Sequence, residues 1–327
     1  MKAKSVLFNL NDDDSLFNKL ITRLQLKEHS IEVGKVNTPI FKDGETCPHF
    51  RTSVRGKRAY ILISPNTPLK IIQLMLAMDA LKRASAAEII PIIPYFPYAR
   101  QDKRDQRRGP IGARVMAEMI EERGATSVIT LDLHSDQIEG FFNIPVIHLR
   151  GKYLFHDYIS DTSDENTVLC SPDAGGLKRV KKIRDLIYKR NESMKLQYVS
   201  IDKTRSEANN VDNMEVLGDV DGKDVLVIDD MCDTGNTLIK GANALIEAGA
   251  HSVSVLITHG VMSYDDEART SAYEKIKNST IKKFICSDSL EQKHVTIYMG
   301  DKMGVITVAN ELANAIININ LDGSIHR

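Results

Sequence analysis

Residues 225–237 read Val-Leu-Val-Ile-Asp-Asp-Met-Cys-Asp-Thr-Gly-Asn-Thr, and this stretch is the most informative part of the chain. Its leading apolar run is typical of a strand that is buried on both faces of a parallel sheet. The segment that follows predicts a tight turn into a helix, whose first N–H groups and dipole favour a phosphate. The sequence therefore predicts a strand–loop–helix unit with an anion site at the carboxyl end of the strand.

The polar side chains of this stretch suit a pentose 5-phosphate. Asp229 and Asp230 are paired acceptors for vicinal sugar hydroxyls, and threonine hydroxyls can donate hydrogen bonds to phosphate oxygens. The residues that we assign to the phosphate are Asp233, Thr234, Gly235, Asn236 and Thr237. The alternative is an ordinary turn with Asp233 or Thr234 as helix N-cap, which leaves the paired acids unexplained.

Short apolar runs alternate with amphipathic segments along the rest of the chain. Strands are predicted at Tyr60–Ser64, Ile89–Ile93, Ser127–Leu131, Thr167–Cys170, Gln197–Ile201, Asp224–Ile228 and Val253–Thr258. Helices are predicted at Leu69–Ala84, Ile111–Arg123, Ala174–Arg190 and Thr237–Ala248, where apolar residues recur every three or four positions. This order predicts an α/β fold with helices on both faces of a parallel sheet. It occurs once before about Leu149 and once after, which indicates two domains.

Composition excludes several functional classes. The formal net charge is −1, so no overall field favours nucleic acid or an anionic membrane, and a polyanion site needs local positive charge. No run approaches the ~18 apolar residues of a membrane span. The four cysteines include no CxxC pair, which favours free thiols in a reducing compartment over disulfides or a zinc site. We predict a cytoplasmic protein with no nucleic-acid partner and no membrane association.

Further motifs give the chain a family resemblance. They are Phe41-Lys42-Asp43-Gly44-Glu45, Ser53-Val54-Arg55-Gly56, Pro97-Tyr98-Ala99-Arg100-Gln101-Asp102, Asp132-Leu133-His134, Gln137-Ile138-Glu139-Gly140-Phe141-Phe142 and Ser171-Pro172-Asp173-Ala174-Gly175-Gly176. Residues 225–237 resemble the phosphoribosyl pyrophosphate loop of type I phosphoribosyltransferases. The whole set, from about Lys35 to about Ala315, resembles the ribose-phosphate pyrophosphokinases.

The resemblance implies two tandem type I phosphoribosyltransferase-like domains, each a mostly parallel sheet flanked by helices. Residues 1–150 would form an ATP-contributing domain and residues 151–307 a domain that binds ribose 5-phosphate. A C-terminal helix at about 308–318 would pack back onto the first domain. The implied reaction is the Mg²⁺-dependent transfer of the β,γ-diphosphoryl group of ATP to the C1 hydroxyl of ribose 5-phosphate.

The resemblance also implies roles for individual residues on the nucleotide side. The residues implied to hold the adenine, from a neighbouring subunit, are Phe41, Asp43 and Glu45; those implied to contact ATP are Arg100, Gln101 and Asp105. Without the resemblance, the basic run at 100–108 reads as a solvated charged surface. The resemblance assigns His134 to the Mg·ATP site and Asp173 to the metal, and a loop formed by Asp173, Ala174, Gly175 and Gly176 to the diphosphate.

Two catalytic cations are implied in the polar segment after Gln197–Ile201, namely Lys203 and Arg205. The resemblance further implies a homohexamer built from dimers and a phosphate/ADP regulatory site that includes Ser53 and Arg55. In that site, the C-terminal Gly323–Arg327 departs from the family pattern, which leaves regulation open.

Asn236 also departs from the family pattern, because it stands where a second glycine is usual. Asparagine is the best tolerated non-glycine residue if this position requires φ > 0. We interpret Cys232 as a small filler, although a helix start can lower a thiol pKa. His148 has no convergent partner in the sequence and is interpreted as structural.

Two alternatives to the synthetase function stay open from the residues alone. A non-catalytic regulatory relative would keep the fold, but this chain retains the charged residues of the catalytic loops. A nucleobase phosphoribosyltransferase would share the chemistry of residues 229–237, but would not need the first domain. A DNA-binding regulator is disfavoured because no basic recognition helix precedes the domain.

Overall fold

A computed structural model describes residues 5–192, 194–204, 213–266, 269–321 and 323. The chain divides into two compact units, the first formed by Met1–Arg150 with Thr307–Arg327 and the second by Gly151–Ile306. Among the described residues, no helix combines the length and the apolar character that crossing a membrane requires.

The first unit is built on a parallel sheet. Its strands are β1 (Ser5–Asn9), β2 (Glu32–Val33), β5 (Arg58–Leu62), β6 (Glu88–Ile93), β7 (Val128–Leu131) and β8 (Val146–Leu149), in the order β2-β1-β5-β6-β7-β8. A small antiparallel pair joins β3 (Val36–Asn37) to β4 (His49–Phe50). The helices are α1 (Ser15–Leu26), α2 (Pro68–Arg83) and α3 (Gly112–Glu122), and a 3-10 helix spans Asp136–Phe141.

The start of α2 illustrates how local sequence fixes an element. The Thr67 side chain accepts a hydrogen bond from the backbone N–H of Lys70, and Pro68 occupies the first helical position. Both features are favoured there, because the first N–H groups of a helix have no intrahelical partner. The helix buries Leu74 and Met78 in the core of this unit.

The second unit has a larger sheet. Its strands are β9 (Thr167–Ser171), β10 (Gln197–Thr204), β11 (Asn213–Leu217), β12 (Asp224–Cys232), β13 (Ser252–Gly260), β16 (Lys283–Ser287) and β17 (Met303–Ile306), in the order β11-β10-β9-β12-β13-β16-β17. All neighbours are parallel except β10 and β11. A separate antiparallel pair is β14 (Tyr264–Asp265) with β15 (Thr270–Ser271). The helices are α4 (Gly151–Thr162), α5 (Leu177–Arg190), α6 (Asn236–Glu247), α7 (Ala272–Lys277) and α8 (Lys293–Met299).

The C-terminal helix α9 (Ala309–Asn320) returns to the first unit. Its last residue is an anchor, because the Asn320 Oδ1 atom accepts hydrogen bonds from Ser5 Oγ at 2.9 Å, Arg58 Nη1 at 3.0 Å and Tyr60 Oη at 2.9 Å. The Asn320 amide nitrogen lies 2.9 Å from Nε2 of His29. One side chain thus ties α9 to the edge of the sheet where β1 and β5 begin.

The predicted α/β fold with mainly parallel, helix-flanked sheets is confirmed. The predicted bounds are wrong at the start of α5, which begins at Leu177 and not at Ala174, and at the end of β12, which is Cys232 and not Ile228. The Asp173 Oδ1 atom accepts a hydrogen bond from the Gly176 N–H at 2.8 Å, and this side-chain turn replaces the first helical turn. Strand β12 continues to Cys232, because Met231 and Cys232 still pair with β13.

Candidate active site

Strand order in the second unit indicates where a ligand binds. The chain leaves β9 toward β10 on one side, and β12 then lies on the other side of β9. In open parallel sheets such a reversal opens a crevice between the loops that follow the two strands. Here those loops are 172–176 and 233–235, each followed by a helix, α5 and α6. The fold therefore brings the two predicted phosphate loops to the same edge of one sheet.

Near the end of β12, Asp229 and Asp230 both face an arginine side chain that the sequence analysis did not identify. The Arg179 Nη1 atom lies 3.4 Å from Oδ1 of Asp229 and 3.5 Å from Oδ1 of Asp230. The Asp229 side chain is 22% exposed and that of Asp230 is 5% exposed, so the pair is largely enclosed. Arg179 is a candidate site residue that sequence reasoning missed. The basic residues Lys178, Lys181 and Lys182 surround it in α5, and no local signal distinguishes it from them.

Burial raises the pKa of the Asp229 carboxyl well above its usual range, and the neighbouring charge of Asp230 raises it further. The Arg179 guanidinium and the Asp230 N–H, which donates to Asp229 Oδ1 at 2.9 Å, act in the opposite direction. A buried pair of carboxyl groups is an unfavourable arrangement, because loss of solvation and mutual repulsion both oppose ionisation. Such strain is typical of sites that bind a polar ligand.

The loop after β12 has the backbone geometry of an anion site. Gly235 has φ of 76°, in the left-handed region, and directly precedes α6. Asn236 is the first residue of α6 and does not have positive φ. The position therefore does not require the left-handed backbone for which asparagine would be the best substitute for glycine. Its side chain accepts a hydrogen bond from Lys275 Nζ at 3.2 Å. Thr237 is exposed at the start of the helix, where its hydroxyl can meet a ligand.

The loop after β9 is closed by its own polar groups. The Ser171 hydroxyl donates to the Asp173 carbonyl oxygen at 2.6 Å, and Asp173 Oδ1 accepts from the Gly176 N–H. A Cβ at Gly176 would lie 2.6 Å from Ser171 Oγ, so only glycine fits there. Ala174 and Gly175 are exposed at the tip of the loop. The conformation of the loop is therefore held by contacts within the segment Ser171–Gly176.

Cys232 is not an activated thiol. Burial raises its pKa to about 12, and the charges of Asp233 and Asp229 act in the same direction. Its location before a helix start does not compensate for this. The structure supports the interpretation of Cys232 as a small filler and is against a lowered pKa.

In the first unit, two of the predicted nucleotide motifs follow neighbouring strands. Strands β6 and β7 are parallel neighbours, so the segment that contains Arg100 and Gln101 and the segment that contains His134 leave the same edge of the sheet. Arg100, Gln101 and His134 are exposed there. The Gln101 backbone packs at the start of α3, because its carbonyl oxygen accepts from the Ala113 N–H at 3.2 Å.

The adenine motif has a different setting. The Phe41 N–H donates to the Glu45 carbonyl oxygen at 2.8 Å, the Asp43 carboxylate accepts from the Glu45 N–H at 3.0 Å, and Ile40 bridges Thr46. This turn lies between β3 and β4, which are not part of the main sheet, and Phe41 is half exposed.

The remaining predicted residues are less informative. Asp105 is exposed in the basic segment, and Ser53 and Arg55 are exposed before β5, where Arg55 bridges Ala86. Lys203 belongs to β10, where its backbone pairs with Met214 of β11. Arg205 lies outside the described residues.

His148 has partners after all, which corrects its interpretation as a residue without convergent neighbours. Its Nε2 atom accepts a hydrogen bond from the Leu133 N–H at 2.8 Å, and its Nδ1 atom lies 2.6 Å from Glu139 Oε1. Asp136, Glu139 and His148 place their ligand atoms close enough to hold a metal ion. Arg150 contacts both carboxylates, however, so a guanidinium already pairs with the two acids of this group.

Comparisons with known proteins agree with this arrangement. The N-terminal domain of ribose phosphate pyrophosphokinase matches residues 5–124, and the phosphoribosyl transferase domain matches residues 139–292. A ribose-phosphate pyrophosphokinase of Lactococcus lactis is 40% identical over 319 residues, covering 96% of this chain and 92% of the relative. That of Bacillus subtilis is 36% identical over 324 residues, covering 98% and 95%.

A solved structure is similar over the same extent. The crystal structure of phosphoribosylpyrophosphate synthetase from Mycobacterium smegmatis superposes with a TM-score of 0.84 at 34% identity, covering 98% of this chain and 100% of that one. Sequence motifs, strand order and loop geometry all lead to one assignment, and the chain belongs to the ribose-phosphate pyrophosphokinase family.

Proposed function

We propose that this enzyme transfers the β,γ-diphosphoryl group of ATP to the C1 hydroxyl of ribose 5-phosphate, giving phosphoribosyl pyrophosphate and AMP. The observation that carries the proposal is the pair of loops at the reversal of strand order in the second unit. One follows a buried acid pair and ends at a helix start, and the other is a glycine loop beside a carboxylate. A sugar phosphate and a diphosphate are the anions that such loops fit.

We assign the sugar to the end of β12. Asp229 and Asp230 would accept hydrogen bonds from the ribose hydroxyls, with Arg179 holding the two carboxylates in position. The 5-phosphate would lie on the turn and the first residues of α6, namely Asp233, Thr234, Gly235, Asn236 and Thr237. The helix dipole and the unpaired first N–H groups of α6 favour a dianion at this place.

The nucleotide belongs to the first unit in this proposal. Arg100, Gln101 and Asp105 would contact ATP, and arginine forks suit the oxygens of a triphosphate. The adenine would lie against Phe41, with Asp43 and Glu45 accepting from its polar edge; the family resemblance places these three residues on a neighbouring subunit. That arrangement requires a homo-oligomer, for which we propose a hexamer built from dimers.

The chemical step is an in-line displacement. The C1 oxygen forms a bond to the β-phosphorus, the bond from that phosphorus to the oxygen bridging to the α-phosphorus breaks, and AMP leaves. The hydroxyl proton passes to solvent. The protein contributes positioning and electrostatic stabilisation. We assign Lys203 and Arg205 to the charge that develops on the transferred group, where an arginine can contribute about 10³–10⁵ in rate.

Magnesium fits the residues of the second unit better than those of the first. Asp173 uses one carboxylate oxygen for the Gly176 N–H, which leaves its other oxygen for a hard cation. His134 offers nitrogen, which Mg²⁺ accepts less readily, so we expect it to act on Mg·ATP through water. Bound Mg²⁺ would neutralise phosphate charge during transfer, while Asp173 orients the diphosphate on Ala174, Gly175 and Gly176.

The decisive experiment is an AMP-release assay with ATP and ribose 5-phosphate, with and without Mg²⁺. The proposal expects Mg²⁺-dependent release of one AMP for each phosphoribosyl pyrophosphate formed. A non-catalytic regulatory relative would release none. A nucleobase phosphoribosyltransferase would instead consume phosphoribosyl pyrophosphate with adenine, hypoxanthine or uracil.

Regulation needs its own measurement. We propose that Ser53 and Arg55 contribute to a phosphate/ADP site, as the family resemblance implies. Light scattering tests the hexamer, and an ADP inhibition curve measured at saturating and at low ATP separates regulation from competition. If Ser53→Ala leaves non-competitive ADP inhibition unchanged, Ser53 has no part in that site.

A further inference from the structure

We propose that His148 is a positioning residue for the nucleotide-binding segment Asp132–His134, which it holds through the backbone N–H of Leu133. The inference rests on the proposed function, since that function assigns His134 to Mg·ATP. It concerns a residue of β8 that is buried beneath that segment and does not reach solvent.

The segment that His148 contacts has an unusual backbone. Asp132 follows β7 with φ of 42°, in the left-handed region that residues with a Cβ rarely adopt. The Asp132 N–H donates to the Leu149 carbonyl oxygen at 2.8 Å, and the Leu133 N–H donates to His148 Nε2 at 2.8 Å. Two successive N–H groups are thus bound to successive residues of β8. Such a conformation persists only where the surrounding structure determines it.

The hydrogen bonds determine the tautomer of His148. Its Nε2 atom accepts from an amide and therefore carries no proton, so the proton of the neutral ring is on Nδ1. That N–H faces Glu139 Oε1 at 2.6 Å. A proton on Nε2 would place two donors against each other and release Leu133. The side chain is 3% exposed, and no other tautomer satisfies both partners.

We call the chain of contacts from Arg150 through Glu139 and His148 to Leu133 the relay. Its end opposite Leu133 is also held by hydrogen bonds. Glu139 lies in the 3-10 helix, and its Oε1 atom accepts from Arg150 Nη2 at 2.7 Å. Arg150 also binds Asp136, the residue that begins the same 3-10 helix. The chain of contacts from Arg150 through Glu139 and His148 to Leu133 therefore orients the residue immediately before His134. A purely space-filling histidine would not need these partners.

Two substitutions at position 148 distinguish the role of Nε2 as hydrogen-bond acceptor from the role of the ring in packing. The amide of glutamine reaches the place of ring Nε2 and can accept from Leu133, whereas the shorter asparagine amide reaches only the place of Nδ1. We expect His148→Asn to raise the KM for Mg·ATP about tenfold with little change in the KM for ribose 5-phosphate. His148→Gln should stay within about threefold of the parent enzyme. Calorimetric titration of Mg·ATP into each protein gives the same ranking without turnover.

Hydrogen exchange reports the contact directly. The Leu133 amide should be protected in the parent protein and in His148→Gln, and should exchange at least about tenfold faster in His148→Asn. His156→Asn is a matched control, because His156 is equally buried, contacts Asp157 at 2.8 Å and lies in the second unit. It should leave the Mg·ATP affinity unchanged.

Three results would overturn the proposal: asparagine and glutamine variants that are equally impaired, faster exchange at Leu133 without loss of Mg·ATP affinity, or an equal loss of affinity in His156→Asn. If His148→Asn does not fold, Glu139→Ala replaces it. That variant frees the ring to change tautomer and should raise the KM for Mg·ATP about threefold. An unchanged KM in Glu139→Ala would refute the relay, while absence of AMP release from the parent enzyme would refute the proposed function instead.

Discussion

The guanidinium of Arg179 lies within 3.5 Å of both Asp229 and Asp230, so one cation from α5 faces two carboxylates from β12. The two carboxylates carry more charge than the cation, and the surroundings are largely enclosed. In the proposed function, substrate hydroxyls would add hydrogen-bond donors to this pair. Such a site would favour a bound ligand at the expense of the stability of the protein without it.

Asp229→Asn should make the protein more stable and inactive. The pKa of Asp229 is raised in the folded state, so its stabilising contribution is present below the pKa of about 3.9 of an unfolded aspartate and is lost as pH rises through the folded value. At pH 7 the native state therefore carries the cost of holding this carboxyl in a buried site beside a second acid. Removing the charge should raise the free energy of unfolding by about 1 kcal/mol at pH 7, with a smaller gain near pH 4.

Urea unfolding at both pH values measures this effect, and AMP release measures activity. Asp185→Asn is the matched control, because Asp185 is exposed in α5 beside Arg184. It should change stability by less than about 0.5 kcal/mol. A destabilised Asp229→Asn protein at pH 7 would contradict the account of the acid pair.

Asn320→Ala should destabilise the first unit. The substitution removes the acceptor shared by Ser5, Arg58 and Tyr60, and the buried Tyr60 hydroxyl loses the acceptor to which it donates. We expect a loss of roughly 2 kcal/mol in the free energy of unfolding. The control is Asn314→Ala on an exposed position of the same helix, which should be neutral or slightly stabilising because alanine favours helix. Equal losses in the two variants would mean that the loss is not specific to the hydrogen bonds of Asn320.

Thiol labelling should distinguish Cys47 from the other cysteines. Cys47 is exposed, whereas burial raises the pKa of Cys170 and of Cys232 to about 12 and also raises the pKa of Cys286. A short treatment of the native protein with iodoacetamide at pH 8 should add one group per chain, at Cys47, because the thiolate is the reactive form. Mass spectrometry of the digested protein checks the position. Rapid modification of Cys232 would show that its loop opens in solution.

The sequence predicted those features of the fold and site that depend on neighbours along the chain. The apolar run before Asp229 predicted β12, and the turn at Gly235 predicted a helix start, since both depend on local periodicity and backbone preference. Arg179 could not be identified, because its partners come from a strand 50 residues away. His148 was misjudged for the same reason, as Glu139 and Leu133 become its neighbours only when β7 and β8 pair.

Gly235→Ala should impair ribose 5-phosphate binding more than it destabilises the protein. Gly235 has φ of 76°, and a Cβ there would make a tight contact of 3.3 Å with the Ile276 side chain, so we expect the turn before α6 to shift. A left-handed alanine costs about 1–2 kcal/mol by itself. A displaced turn also moves the N–H groups that would hold the 5-phosphate, and a misplacement of that kind should raise the KM for ribose 5-phosphate about tenfold or more.

Gly222→Ala separates the two effects. Gly222 has φ of 66° with no atom within 4 Å of its would-be Cβ, and it precedes β12 at the opposite end from Gly235. Its substitution should therefore cost the same about 1–2 kcal/mol in unfolding free energy, while the KM stays unchanged. If both variants raise the KM equally, general destabilisation explains the loss, and the phosphate does not depend on the turn at Gly235. If only Gly235→Ala does so, the left-handed glycine before α6 is required for binding because it aims the helix start at the phosphate.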